Sequence, residues 1–325
     1  MRVLPSVKTV LFKLDKTDRS LLSLLSKDCR TPNTALGAKL RVSKDTVKYR
    51  VMNLRKAQVL QGYTAEINTK ELGFMSVHLL VQLTAVDPQF LTSAISSMSK
   101  LDFITVIIQY SASYDLEIGT VAKTLESLEE NVATILDILS PQLKDYQLLI
   151  ITQGIKNSIL PGDTSFERQL KRKESSPDKL DLQILCCLSE DSTQPLYKIG
   201  EKVGMSGDSV RNRIKSLVAN GIIKRFIPII NYSVVGLSVY CLLLNIRNPG
   251  NRLSSVLLQE RSVIWAVRTL GSFNCVAYVA VESNEELHEL MIRLRKTFSK
   301  DISSSNVFLA YEEFKYTYFP KACMQ

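Results

Sequence analysis

The chain carries the same unit twice. Shifted by 163 positions, residues 15–77 fall on 178–240 without a gap, with 18 identities in 63 positions and mostly apolar-for-apolar exchange among the rest. DKTDRSLLSLLSKD (15–28) lies over DKLDLQILCCLSED (178–191). Pro32, Ser43, Asp45, Arg50, Leu54, Asn68 and Gly73 meet Pro195, Ser206, Asp208, Arg213, Leu217, Asn231 and Gly236. Further on the shift becomes 159, so that Ser113-Tyr114-Asp115 meets Ser272-Phe273-Asn274 and Pro161 meets Pro320. Whatever one copy folds into, the other must match. The 325 residues therefore divide into two units of about 150 residues.

Composition removes several function classes. At 45% hydrophobic and 22% charged the chain is an ordinary globular sequence. No apolar stretch approaches the roughly 18–20 residues of a membrane span. The opening MRVLPSVKTVLFKLDK shows no long apolar core before a small-residue cleavage site. A cytoplasmic protein without a membrane partner is the expectation. Cys29, Cys186, Cys187, Cys241, Cys275 and Cys323 form no CxxC pair and mostly interrupt apolar runs, so buried thiols are expected. Only His78 and His288 supply imidazole. No catalytic residue, cofactor or metal ligand is expected.

The net charge of +9 is unevenly placed. Residues 13–58 hold 12 basic side chains against 4 acidic, whereas 59–160 hold 5 against 11. Such asymmetry fits an electrostatic footprint on a polyanion. A solvated basic face accounts for charge alone equally well, so the pattern of the segment must decide.

Each unit reads as a helical head followed by a β-rich body. In the first head, Leu21, Leu22, Leu24 and Leu25 give a helix over 15–26, with Asp15 and Asp18 in its first turn. Pro32 opens a second helix, 32–40. Ser43 caps a third, 44–57, whose buried stripe is Val47, Val51 and Leu54. VLQGYTAEIN (59–68) then reads as two short strands around Gly62, a wing. The second head repeats this, with helices near 178–189, 195–203 and 207–220 and then IIKRFIPIIN (222–231). The first body has strands at 76–86, 103–110, 114–121 and 146–152 and helices at 88–100 and 123–139. The second has strands at 238–247, 263–269, 273–281 and 305–313 and helices at 250–260 and 284–298. Both orders are β-α-β-β-α-β, a ferredoxin-like split. The fold class is α+β: winged helix-turn-helix 12–70, body 74–160, linker 161–176, winged helix-turn-helix 177–233 and body 237–320. GDTSFERQLKRKESSPDK (162–179) is charged and poor in large apolar side chains, as a linker should be.

On these residues each unit resembles the Lrp/AsnC (leucine-responsive) family of prokaryotic transcription regulators. LDKTDRSLLSLL (14–25), VSKDTVKYRVMNL (42–54) and VLQGYTAEIN (59–68) carry the likeness. DKLDLQILCCL, MSGDSVRNRIKSL and IIKRFIPIIN repeat it. The bodies resemble that family's regulation-of-amino-acid-metabolism (RAM) domain. The likeness implies a sequence-specific regulator whose partner is double-stranded DNA, with an amino acid as possible effector. A tandem chain would be an intramolecular pseudo-dimer, and further homo-oligomers are implied because family bodies pair sheet to sheet.

The third helix of each head would lie in the major groove. Its outward residues in the first head are Ser43, Lys44, Thr46, Lys48, Tyr49, Arg50 and Asn53, followed by Arg55 and Lys56. Lys and Arg suit phosphates; Asn and Thr suit base edges. In the second head they are Ser206, Gly207, Ser209, Arg211, Asn212, Arg213 and Lys215, with fewer positive charges. Arg41 stands where Gly204 stands in the second unit, so its turn is expected to differ in shape or to offer a phosphate contact. Gly37 and Gly200 sit inside the second helices, where a close approach explains them best.

In the family an effector binds near a G-x-(Y/F)-D turn. Ala112-Ser113-Tyr114-Asp115 lacks the Gly and Gly271-Ser272-Phe273-Asn274 lacks the Asp. Such residues also serve plain tight turns. Two other functions stay open. Siroheme decarboxylases share the head-and-body unit, but 109–122 and 268–281 contain no His to act on porphyrin carboxylates. A protein-binding or oligomerising module without DNA binding is the other.

Overall fold

The computed structural model describes residues 11–111, 113–163, 176–247 and 250–324. The opening segment read as carrying no leader, most of the 161–176 linker and Ala112 lie outside the described residues. The first head comprises α1 (Lys16–Lys27), α2 (Asn33–Leu40), α3 (Lys44–Lys56) and strand β1 (Leu60–Ile67). Its body is β2 (Met75–Leu83), α4 (Pro88–Ser99), β3 (Ile104–Tyr110), β4 (Leu116–Ala122), α5 (Leu125–Leu139) and β5 (Leu143–Asn157). The second head is α6 (Lys179–Glu190), α7 (Leu196–Val203), α8 (Gly207–Ala219) and β6 (Ile223–Ile230). The second body is β7 (Ser238–Ile246), α9 (Gly250–Gln259), β8 (Val263–Leu270), β9 (Cys275–Val281), α10 (Asn284–Phe298) and β10 (Ile302–Tyr316).

Local chemistry explains the helix starts. The Asp15 carboxylate accepts the Asp18 amide at 2.7 Å, and the Asp18 carboxylate accepts the Asp15 amide at 3.3 Å. Asp178 and Asp181 repeat this reciprocal box at 2.8 and 3.2 Å. The helix glycines make the turn tight. A Cβ on Gly37 would meet the Val42 carbonyl at 2.7 Å, and one on Gly200 the Met205 carbonyl at 2.3 Å. Arg41 adopts the same left-handed conformation as Gly204 (φ 58° and 70°), so the two turns are alike in shape. Holding a non-glycine there costs about 1 kcal/mol.

The expected wing hairpins are not formed. Residues 59–68 and 222–231 instead build single strands that pair with each other, antiparallel, from Leu60–Ile230 to Ile67–Ile223. The backbone groups a hairpin would satisfy locally are satisfied across the unit boundary. The pairing also crosses the helices over, since α6 packs on β1 and α1 on β6. Cys29 and Ser192, equivalent under the 163-residue shift, touch at 3.3 Å between Sγ and Oγ. That contact marks a pseudo-twofold axis. One side of the axis carries a buried ion pair, Arg225 Nε to Glu66 Oε2 at 2.7 Å. Arg225 also donates to the carbonyls of Ser26 and Asn157. The equivalent residues across the axis are Gly62 and Ile229, so the lock is one-sided.

The bodies follow the ferredoxin-like order β3-β4-β2-β5 and β8-β9-β7-β10. They join edge to edge, β5 to β8 and β10 to β3, into one closed eight-stranded barrel. The joining strands run 15 residues each, well beyond the 146–152 and 305–313 that periodicity suggests. Their first halves pair within their own body and their second halves cross to the other. The body pairing expected between chains is thus made within one.

Strand alternation sorts the core. Val77, Leu79 and Val81 of β2 face outward with Leu128, Val132 and Ile135 of α5. Leu242, Leu244 and Ile246 of β7 do the same with Leu290 and Leu294 of α10. The inward face, with Leu80, Val106, Leu243 and Phe308, is continuous with both head cores. A polar cluster sits among these apolar groups. Glu117, fully buried, takes a hydrogen bond from Tyr278 at 2.6 Å and further ones from His78 and Tyr110. Burial pushes the Glu117 carboxyl up, but the His78 charge and these three donors outweigh it and hold it below the usual range. Trp265 stacks over His78 with rings 6.0 Å apart. The cluster draws on both units, because Trp265 and Tyr278 belong to the second.

All six cysteines are free thiols, and Cys29, Cys187, Cys241, Cys275 and Cys323 are buried. Burial pushes the Cys29 thiol up to about 12.

Candidate nucleic-acid interface

The interface is built on α3 and α8. Ser43 starts α3: its hydroxyl accepts the Thr46 amide at 3.0 Å and meets the Thr46 hydroxyl at 2.9 Å. Ser206 and Ser209 repeat this at 3.1 and 2.9 Å. These hydroxyls fix the helix starts. Val47 and Leu54 lock α3 to the head core, as Val210 and Leu217 lock α8.

That anchoring turns one side of each helix to solvent. On α3 the exposed residues are Lys44, Asp45, Lys48, Tyr49, Met52, Arg55 and Lys56. Tyr49 is 60% and Met52 58% exposed. Lys44, Lys48 and Lys56 make no salt bridge with any described residue. Arg55 lies over the Tyr63 ring at 5.1 Å. Asn53 is half-buried. On α8, Arg211, Asn212 and Lys215 are exposed, and Arg211 pairs with Asp208 one turn earlier. Met52 was not among the expected contacts, because an apolar residue on a helix reads as core.

Arg50 and Arg213 differ from the outward placement expected of them. Arg50 Nη1 donates to Asp15 and Asp18 of α1, both at 2.7 Å, and its side chain is 25% exposed. Arg213 Nη1 holds Asp178 at 2.8 Å and Asp181 at 2.9 Å. The acids that cap the first helix reach across to the third helix and take its guanidinium. The Asp15 carboxyl is held below its ordinary value by the Asp18 amide first and then by Arg50. Asp178 is lowered likewise, first by the Asp181 amide and then, against a little burial, by Arg213. Each arginine clamps its head together.

The two turns proposed for an effector are close counterparts. Asp115 Oδ2 accepts the Leu83 amide at 2.7 Å. Asn274 bridges the backbone of Ile246, accepting its amide at 3.1 Å and donating to its carbonyl at 2.7 Å. The Ser113 and Ser272 carbonyls take the amides of Gln82 and Asn245. Tyr114 and Phe273 are buried. Gly271 has φ 144°, and a Cβ there would meet the Leu148 carbonyl of the other unit at 2.4 Å. These polar groups tie each turn to its central strand.

Comparison with known proteins bears on this arrangement. A model of the AsnC-type helix-turn-helix domain matches residues 14–55 and again 178–218. The chain is 31% identical over 122 residues to the HTH-type transcriptional regulator LrpA of Pyrococcus abyssi, which covers 37% of this chain and 84% of that protein. It is 30% identical over 120 residues to the regulator Ptr1 of Methanocaldococcus jannaschii, covering 37% and 80%. With LrpA of Pyrococcus horikoshii the identity is 37% over 93 residues, covering 28% of this chain but only 63% of that protein. Among solved structures, the siroheme decarboxylase NirDL aligns over 93% of each chain with a TM-score of 0.63 and 13% identity. At that identity the likeness is one of fold.

Proposed function

The chain belongs to the Lrp/AsnC family of DNA-binding helix-turn-helix transcription regulators, and from that premise we propose that it is a sequence-specific regulator that grips duplex DNA with both of its heads at once. The observation that carries this is the pair of helices α3 and α8, related by the pseudo-twofold axis, each anchored by its buried stripe and each presenting an exposed polar or cationic face. In this reading the exposed Lys44, Lys48 and Lys56 contact phosphates, and the exposed Tyr49, Asn212 and Arg211 contact base edges. The heads take two half-sites about one helical turn apart.

The barrel performs the task that a second subunit performs in a dimer, setting the distance between the heads. An amino-acid effector acting at 113–115 or 271–274 would have to displace the backbone bonds of Asp115 and Asn274. The protein carries out no chemistry in this reading. The imidazole inside the barrel, His78, is taken by Glu117, and a buried carboxylate repels the carboxylates of a porphyrin. Incubation with siroheme should leave the absorbance spectrum of the protein free of a bound-haem band. Among the described residues no helix is long and apolar enough to cross a membrane.

The test is an electrophoretic shift with sheared genomic DNA, followed by sequencing of the retained fragments. Retention of a common short site is expected. Fragments recovered without a shared site, or none, would defeat the reading.

A further inference from the structure

We propose that this protein reads a non-palindromic operator, two unlike half-sites in fixed order, rather than the inverted repeat of a symmetric dimer. The proposal rests on the DNA-binding reading above and deepens it. A dimer of identical chains presents two identical helices, so its operator mirrors its twofold symmetry. Here the symmetry of the frame is kept. The antiparallel register of β1 on β6 and the Cys29–Ser192 contact both place the heads as a dimer would. The symmetry of the reading surface is not kept.

Superposing α3 on α8 by the 163-residue shift separates the two kinds of position. Those that build the head agree: Val47 with Val210, Leu54 with Leu217, and the clamp Arg50 with Arg213. On the exposed face Asp45 and Asp208 agree and Lys48 becomes Arg211, but the other positions have diverged. Tyr49 faces solvent where Asn212 does in the second head, and Met52 where Lys215 does. Lys56 becomes Ala219, and Lys44 becomes Gly207. Relaxed constraint on an idle helix would not spare the capping box, the clamp and Ser206 of the second head while its wet face changes most.

The chemistry assigns the two halves. Asn212 can pair bidentately with adenine, and Arg211, once it leaves Asp208, with guanine. Tyr49 and Met52 offer apolar contact suited to thymine methyls, with Lys44, Lys48 and Lys56 on the flanking phosphates. The half under α8 is therefore specified chiefly by hydrogen bonds to purines. The half under α3 is specified by shape and methyl contact and is held harder by charge.

Selection from a random duplex library with the full chain tests this. The expected result is two different half-sites in one order, with each base-pair change in either half weakening binding by about tenfold. A duplex with two inverted copies of the α3 half should bind at least about tenfold more weakly than the selected site. The exposed-face variant Arg211→Lys, Asn212→Tyr, Lys215→Met, Ser216→Asn, which touches no buried position, should reverse that preference. The reciprocal pair Tyr49→Asn, Met52→Lys should move the other half toward the α8 sequence. A palindrome selected by the parent chain overturns the proposal, as does a selected site that the α8 variant leaves unchanged. Failure to retain any duplex at any salt overturns instead the DNA-binding reading on which it rests.

Discussion

Replacing Arg50 by Met should unfold the first head more easily while leaving the salt dependence of DNA binding untouched. The side chain keeps its stem and loses its guanidinium. Asp18 is 10% exposed and receives Arg50 at 2.7 Å; a charge-assisted bond of this kind contributes about 1.5–3 kcal/mol. Asp15 is 53% exposed, so its share is about 0.5 kcal/mol once solvent screening is allowed for. The loss is about 2 kcal/mol, read as a lower denaturant midpoint at unchanged slope. Lys48→Ala should do the reverse. Lys48 is exposed and unpaired, so stability stays within about 0.5 kcal/mol. Removing one phosphate contact makes the slope of log affinity against log salt shallower by about 0.9. The assay is a salt titration of DNA affinity beside a urea melt on each variant. If Arg50→Met changed the slope by about one unit and left the melt alone, Arg50 would be a DNA contact and the clamp assignment wrong.

Other outcomes follow from the same geometry. Ser192→Cys places a thiol about 3.3 Å from the sulfur of Cys29, so refolding under an oxidising glutathione buffer, while both thiols are still accessible, should remove two titratable thiols; no loss of thiol in the refolded chain would mean the axis is misplaced. Arg41→Gly relieves a positive φ of 58° and should stabilise the first head by about 1 kcal/mol in a thermal melt, with any affinity loss reporting a phosphate contact. Gly271→Ala drives a methyl into the Leu148 carbonyl and should cost about 1–3 kcal/mol, measured by the same melt. Asp15 and Asp178 have folded pKa values below their ordinary 3.8. Depressed carboxyls stabilise above the unfolded value and lose that contribution as pH falls through the folded one. Acid unfolding should therefore set in below about pH 4 and be shallower in a double Arg50→Met, Arg213→Met chain.

What could be read from the residues was whatever is written locally. Asp15, Ser43 and Pro32 announce helix starts, and the starts fall within a residue of where those side chains put them. The alternation of Val77, Leu79 and Val81 fixes which face of β2 is covered. Long-range partners are written nowhere in a local period. VLQGYTAEIN and IIKRFIPIIN have the same strand character whether each folds on itself or on the other, and only packing decides for β1 on β6. Arg50 falls on the outward half of a helical wheel, but a wheel drawn for one helix cannot show that Asp15 and Asp18 of another wait above it. One signal was available and unused: Glu117 is the single charged residue of the strand LEIGTVA, and buried charges of this kind come in partnered groups.

The closed barrel has a consequence for the company this protein can keep. Two separate chains that pair through such bodies could exchange partners. A ring of eight strands whose every neighbour is supplied in cis offers no seat for a stranger, and the covalent tether keeps its own second half at a local concentration that dilution cannot lower. The pairing of heads is thus indifferent to how many copies of the chain are made.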